Sequence, residues 1–192
     1  MRTDLELLAA WRDGDAAAGE ELVSRLWPAV SRFFRAKVGD AAADLTAQTW
    51  LACVEGKDRI AGEDVKAYVF AIARRRLAEH FRATARETVV DFGSMSLADL
   101  GSGLITALDR KQRGELLRAG LARIPLDDQI ALELAYLEGM PLRDVARVLE
   151  IQENTVRSRL ARAKDRLRAV LVGELAATEA DAALAASVLD GP

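Results

Sequence analysis

Cysteine is almost missing from this chain: of 192 residues only Cys53 carries a thiol. No intrachain disulfide and no cysteine-rich zinc site can therefore form, and the usage suits a reducing compartment such as the cytoplasm. Cys53 itself reads as a small core residue. Histidine is equally scarce, with His80 alone, so a Ser-His-Asp set has no persuasive context. No glycine-rich phosphate cradle and no cluster of metal ligands is visible either, which argues against an enzyme and against any cofactor. Acidic Asp4 and Glu6 precede any apolar run, unlike a signal peptide, and no apolar run is long enough to cross a bilayer, so no membrane insertion is expected. Alternating runs of valine, isoleucine and threonine are nearly absent. That disfavours a receiver-type domain of alternating strands and helices.

What is present is a 51% apolar composition, enough to bury a core, and a formal net charge of -3 that is unevenly spread. Residues 74–86 hold five arginines against Glu79, a net +4, and residues 143–168 hold eight bases against four acids, again +4. The remainder sums to -11. One basic island is ordinarily just a solvated helix face; two islands, each at the end of an apolar helical pattern, point to a polyanionic partner.

Helical spacing of apolar residues runs through almost the whole chain, predicting an all-α protein. Helices are expected from Leu5 to about Trp11, from Gly14 or Asp15 toward Val38, from about Ala42 to Val54 and from about Asp64 to Arg86. Val65, Tyr68, Val69, Ile72 and Leu77 form much of the last one's inner stripe. Residues 88–103, TVVDFGSMSLADLGSG, carry three glycines and three serines and break the pattern, as a linker would. Helix is expected again from about Leu108 to Ile124. Another should follow, capped by Asp127 or Asp128 and closed at Gly139, then a short one from Leu142 to Leu149 and a final one from Glu153 to about Val172. The domain expectation is 1–87, a linker at 88–107, a second domain at 108–172, and an acidic, alanine-rich tail at 173–192 that is frayed or partner-dependent. A short tail helix from Thr178 onward could dock on a basic face and restrain it.

Residues 141–167, PLRDVARVLEIQENTVRSRLARAKDRL, read as helix-turn-helix. Val145, Ala146 and Leu149 face inward on the first helix, Ile151 sits in the turn, and Val156, Leu160, Ala163 and Leu167 continue the stripe. At about 100° per residue, the opposite face of the second helix holds Asn154, Thr155, Ser158, Ala161 and Arg162, with Arg157 on its flank. Short polar side chains there can reach base edges while the arginines neutralise phosphate. An ordinary αα-hairpin with a charged outer face is the alternative for this segment taken alone.

The texts AYLEGMPLRDVA and NTVRSRLARA make residues 120–171 similar to region 4 of the extracytoplasmic-function (ECF) RNA polymerase sigma factors of the sigma-70 family. LLAAWRDGDAAAGEELV and DLTAQTWLACV, within residues 5–54, resemble region 2 of the same family, and YVFAIARRRLAEHFRATAR, residues 68–86, resembles its promoter-melting helix. The resemblance covers about residues 5–172, with both halves in the family's order. It implies two small helical domains, a four-helix region 2 and a helix-turn-helix region 4, joined by a flexible linker. It further implies minus-35 contacts from Asn154, Thr155, Arg157, Ser158 and Arg162, and minus-10 contacts and help in opening the duplex from Arg74, Arg75, Arg76, His80 and Arg82. Contacts to core RNA polymerase, through the β′ coiled coil and the β subunit, would come from Asp44, Gln48, Thr49 and Trp50. The ring of Trp50 reads equally as core, and His80, Tyr68 and Phe70 as packing residues. An anti-sigma partner clamping both domains, cytoplasmic location and the absence of catalysis are further implications. The sequence departs from the family's frequent text at Ala47, Gln48, Arg75, Glu150 and Gln152. Glu150 stands where glycine is usual in the turn, and Gln152 where a capping serine is usual. Two other readings remain: a free-standing helix-turn-helix regulator that binds duplex DNA without polymerase, and a sigma-like adaptor that no longer initiates.

Overall fold

The computed structural model describes residues 1–60, 65–84, 91–96 and 112–189, the side chains of 112–116 and 174–189 excepted. Among them no strand forms; the one ladder contact is an isolated bridge between Ser96 and Pro125. Eight α-helices are described: α1 (Asp4–Arg12), α2 (Ala16–Val38), α3 (Ala42–Glu55), α4 (Val65–Thr84), α5 (Gln112–Leu121), α6 (Leu126–Leu132), α7 (Leu142–Leu149) and α8 (Glu153–Leu189).

The starts of α1 and α2 follow from local chemistry. Thr3 caps α1 in a reciprocal box with Glu6, satisfying two backbone donors that a helix start leaves orphaned, and its hydroxyl and backbone bonds hold the Glu6 carboxyl below its usual range. Asp15 caps α2 by accepting from the Ala18 N–H. At the far end Gly39 takes a φ of 52°, releasing the chain into a 3-10 turn that leads to α3. Helices α1 to α4 enclose a core of Leu7, Leu22, Val30, Phe34, Phe70, Ala73 and Leu77, all essentially inaccessible. Arg12 crosses to the turn between α3 and α4, where it donates to the carbonyls of Lys57 (2.9 Å) and Ile60 and so closes the bundle's edge.

In the C-terminal half Ile124, Leu126, Ile130, Leu134, Val145 and Val156 form the buried centre. Gly120 lets α5 approach α8 so closely that a Cβ would stand 2.8 Å from Leu171. Two expectations are corrected here. Asp127 and Asp128 are not the cap of the sixth helix: Pro125 holds that position (φ -49°, ψ 139°), and both aspartates lie in the first turn with their side chains buried. That helix also does not run evenly to Glu138. It loosens into a π-helical segment, Glu133–Leu137, before Gly139 (φ 63°) ends it.

Six residues of the expected linker are described. Asp91–Ser96 is a docked turn, with Phe92 buried edge-on to Phe81 and its carbonyl accepting from the Asp127 N–H, while Met95 O accepts from Leu126 N. The Asp91 carboxylate, below its usual pKa because Ser94 Oγ and Gly93 N donate to it, ties the turn locally. Residues 88–90 and 97–107 of that linker, the fourth helix's expected ends at Asp64 and Arg86, and the start of the helix expected at Leu108 lie outside the described residues. The last helix continues past the expected end at Val172, through Gly173 to Leu189, as one rod. The alanine-rich segment beyond Gly173 has high intrinsic helix propensity, enough to offset one glycine at about 1 kcal/mol.

Candidate nucleic-acid interface

The helix-turn-helix is built by α7 and α8. Val145, Ala146, Val148 and Leu149 are buried on α7, and Val156, Leu160 and Ala163 are buried on α8. Between them Glu150 adopts left-handed geometry, φ 57° and ψ 40°, so that its N–H donates to Arg147 O while the Ile151 N–H reaches Ala146 O. The first turn of α8 is anchored by Gln152, whose carbonyl accepts from Thr155 N and Val156 N. Because the inner stripe is sealed, the outer face is turned to solvent: Asn154, Arg157, Ser158 and Arg162 are exposed and Thr155 is half-buried. The sequence-derived set is therefore brought together on one face. Arg157 pairs with Glu153 at 2.9 Å within the helix, and Ser158 Oγ donates to Thr155 O.

What orients this helix escaped the sequence analysis. Arg159 reaches both Asp127 and Asp128 at 3.5 Å, and Arg166 donates to Asp128. The two buried acids of α6 thus hold α8 by its inner flank and leave the outer flank free for a ligand. Their only sequence signal, two aspartates after a proline, is also that of a helix start.

On α4 the five residues implied for minus-10 contact are dispersed. Arg75 and Arg82 are exposed, while Arg74, Arg76 and His80 are half-buried. Arg76 pairs with Glu79 at 2.8 Å, Arg82 donates to Ala78 O, and His80 lies edge-on to Phe81. Arg74 turns toward the C-terminal half, donating twice to Asp127 (3.1 and 2.9 Å) and stacking over Phe92. Arg75 stands 4.0 Å from Glu150.

That contact belongs to a larger junction. Lys37 near the end of α2 is fully buried; it donates to Phe33 O at 3.0 Å and to Glu133, and its ammonium sits 4.0 Å from the Phe33 ring centre. Burial pushes its pKa down and Glu133 opposes that in part. Glu138 accepts from Arg32 and Lys66, each at 2.9 Å. Burial raises its pKa, but the Lys66 and Arg32 hydrogen bonds and charges outweigh it, so the carboxyl lies below its usual range.

On α3, Asp44 is exposed and Gln48 half-buried, and the two are hydrogen-bonded at 2.8 Å. Thr49 and Trp50 are buried: the Thr49 hydroxyl donates to Leu45 O, and the Trp50 ring belongs to the core. Leu51, 60% exposed, and Val54, 46% exposed, occupy the outer surface instead. Val54 also borders an open apolar groove of about 690 Å³ lined by Trp11, Val23, Trp27 and Pro28. The periodicity of α3 carries no mark that separates these exposed apolar positions from core.

Residues 114–167 match the family described as sigma-70, region 4. Over 174 residues the chain is 32% identical to a probable RNA polymerase sigma-C factor of Mycobacterium bovis, covering 87% of this chain and 89% of that protein. It is 28% identical over 160 residues to the ECF RNA polymerase sigma factor BldN of Streptomyces coelicolor, covering 80% of this chain and 60% of the relative's length. Among solved structures, the sigma factor RpoE in complex with the anti-sigma factor NepR from Bartonella quintana has the same fold. Its TM-score is 0.62 at 22% identity, over 79% of this chain and 95% of that one. With the helix-turn-helix, the order of the helical halves and these likenesses in agreement, the chain belongs to the ECF sigma factors of the sigma-70 family.

Proposed function

We propose that this chain binds core RNA polymerase in the cytoplasm and directs it to promoters whose minus-35 element is read by α8 and whose minus-10 element is bound and opened by α4. The observation that carries the reading is the outer face of α8. Asn154, Thr155, Ser158 and Arg162 converge there on a helix whose opposite stripe is sealed in the core. A helix so held can enter a major groove with polar side chains toward base edges and arginines toward phosphate. The arginines of α4 supply backbone neutralisation at the second element.

The polymerase-docking role falls to the outer face of α3. Asp44, Gln48 and Leu51 follow one another at helical spacing on that face, with Val54 beside them. Thr49 and Trp50, being buried, shape this face from within. An anti-sigma partner is part of the proposal, supported by the complex in which the RpoE relative was solved.

Gel filtration with core polymerase tests the docking face. The wild-type chain should co-elute, and Leu51→Asp should weaken the complex by an order of magnitude while leaving the helical circular dichroism unchanged. Co-elution of the variant at wild-type affinity would remove α3 from the interface.

A further inference from the structure

Side chains seven residues apart on a helix are separated by nearly two turns and share a flank. Helix α8 carries two such basic pairs. With Ser158 as the centre of its outer face and about 100° per residue, Arg159 and Arg166 lie roughly 80–100° to one side, and Arg157 and Lys164 roughly 100–120° to the other. A helix lying in a major groove has a phosphate backbone on either hand, so each flank is placed to meet one. The present partners of the two pairs differ in strength. Asp128, whose side chain is 4% exposed, meets Arg159 at 3.5 Å and accepts from Arg166. Asp127 also meets Arg159 at 3.5 Å but is shared with Arg74 of α4, and the charge of Arg159 reaches Asp91. On the other flank Arg157 pairs with exposed Glu153 one turn back, and the Lys164 ammonium sits 4.5 Å from the ring centre of exposed Tyr136.

We infer that Asp128 decides which flank of α8 grips the DNA backbone: it retains Arg159 and Arg166 on the protein side and leaves Arg157 and Lys164 to meet phosphate. The inference rests on the reading of α8 as the minus-35 helix and deepens it. It adds Lys164 as a phosphate contact and Asp128 as a positioning residue that touches no DNA itself. The relative strengths carry the argument. An exposed ion pair one helical turn long contributes little, and a cation over an exposed ring little more, so a phosphate displaces either partner readily. A buried carboxylate holds its arginines harder, because drawing them away leaves its charge uncompensated in a poorly solvated place. Arg166 is 48% exposed, so the bond to Asp128, and not burial, is what withholds it from phosphate.

The test uses the full chain and a fluorescent DNA duplex that the chain itself selects from a random-sequence pool, titrated by anisotropy at several salt concentrations. Each phosphate contact contributes about 0.9 to the slope of log affinity against log salt. Lys164→Gln should lower the slope by about that amount. Arg166→Gln removes the same charge from the same helix and should change it by less than about 0.3. Asp128→Asn releases Arg166, so the slope should rise by about 0.9 and a scrambled duplex should bind about fivefold tighter at 0.1 M salt. An equal charge change in the N-terminal half, Asp58→Asn, should do neither. Combining Asp128→Asn with Arg166→Gln should restore the wild-type slope, which a merely structural defect in α6 would not allow. The inference is overturned if Arg166→Gln lowers the slope as much as Lys164→Gln, if Asp128→Asn leaves it unchanged, or if the double variant keeps the raised value. The comparison of Arg166→Gln with Lys164→Gln leaves α6 intact and decides the matter even where Asp128→Asn fails to fold. Weakened binding by Arg162→Ala together with equal effects of Lys164→Gln and Arg166→Gln counts against this inference alone. Wild-type binding by Arg162→Ala overturns the minus-35 reading of α8 and this inference with it.

Discussion

Replacing Glu150 by glycine should make the protein more stable, although it removes a side chain within 4.0 Å of Arg75. Glu150 is the only non-glycine residue with positive φ among the described residues, at 57°. An L-residue pays about 1–2 kcal/mol in that region. Glycine relieves this but gives back about 0.5–1 kcal/mol through the greater freedom of its unfolded chain. The ion pair with Arg75 is long and both side chains are about 70% exposed, so its loss costs close to nothing. The balance is a gain of roughly 0.5–1 kcal/mol, or about 1–4 °C in Tm for a chain of this length. Glu150→Ala keeps the same backbone strain and loses the same side chain, so it should match wild type within about 0.3 kcal/mol. Thermal unfolding followed at 222 nm on all three proteins decides the matter. If the glycine variant melts at or below the alanine variant, the turn is not strained and its left-handed geometry has been given the wrong cost.

Three further outcomes follow from the described contacts. Arg162→Ala should weaken minus-35 duplex binding and lower the salt slope of the affinity by about one unit, with folding unchanged, as read from anisotropy titrations at several salt concentrations. Glu138 has a carboxyl pKa lowered from 4.5 between Arg32 of α2 and Lys66 of α4. Its contribution to the junction should therefore be complete at neutral pH and be lost as the pH falls below about 4.5 through the lowered value; Glu138→Gln should flatten that part of the stability profile. Cys53 is buried with its thiol pushed up to about 12, so a thiol reagent at pH 8 should modify the native chain far more slowly than the urea-unfolded chain.

Much of the local structure was legible because it depends on near neighbours. The helix-turn-helix appears where spacing placed it, α7 spanning Leu142–Leu149 and α8 starting at Glu153, since the buried stripe of Val145, Leu149, Val156 and Leu160 admits only one facing. The exposed set on α8 follows from the same stripe by rotation. What was not legible depends on partners distant in sequence. Asp127 has the sequence signature of a cap, and only the arrival of Arg74 and Arg159 turns it into an anchor. Lys37 continues the buried spacing of Val30, Phe33 and Phe34 but carries a charge, and the carboxylate that meets it, Glu133, is 96 residues away. Thr49 and Leu51 exchange roles relative to their polarity because a threonine can satisfy its hydroxyl on the Leu45 carbonyl and then pack inward. The π-helical segment at Glu133–Leu137 has no composition of its own to betray it.

The most direct test of the central claim is initiation itself. Purified chain and bacterial core RNA polymerase would be supplied with a library of promoter fragments and the start sites of the transcripts mapped. The account predicts transcripts from a discrete subset that core alone ignores, sharing sequence near minus 35 and minus 10, and a loss of minus-35 preference with Arg162→Ala. Transcripts no different from those of core alone would contradict it.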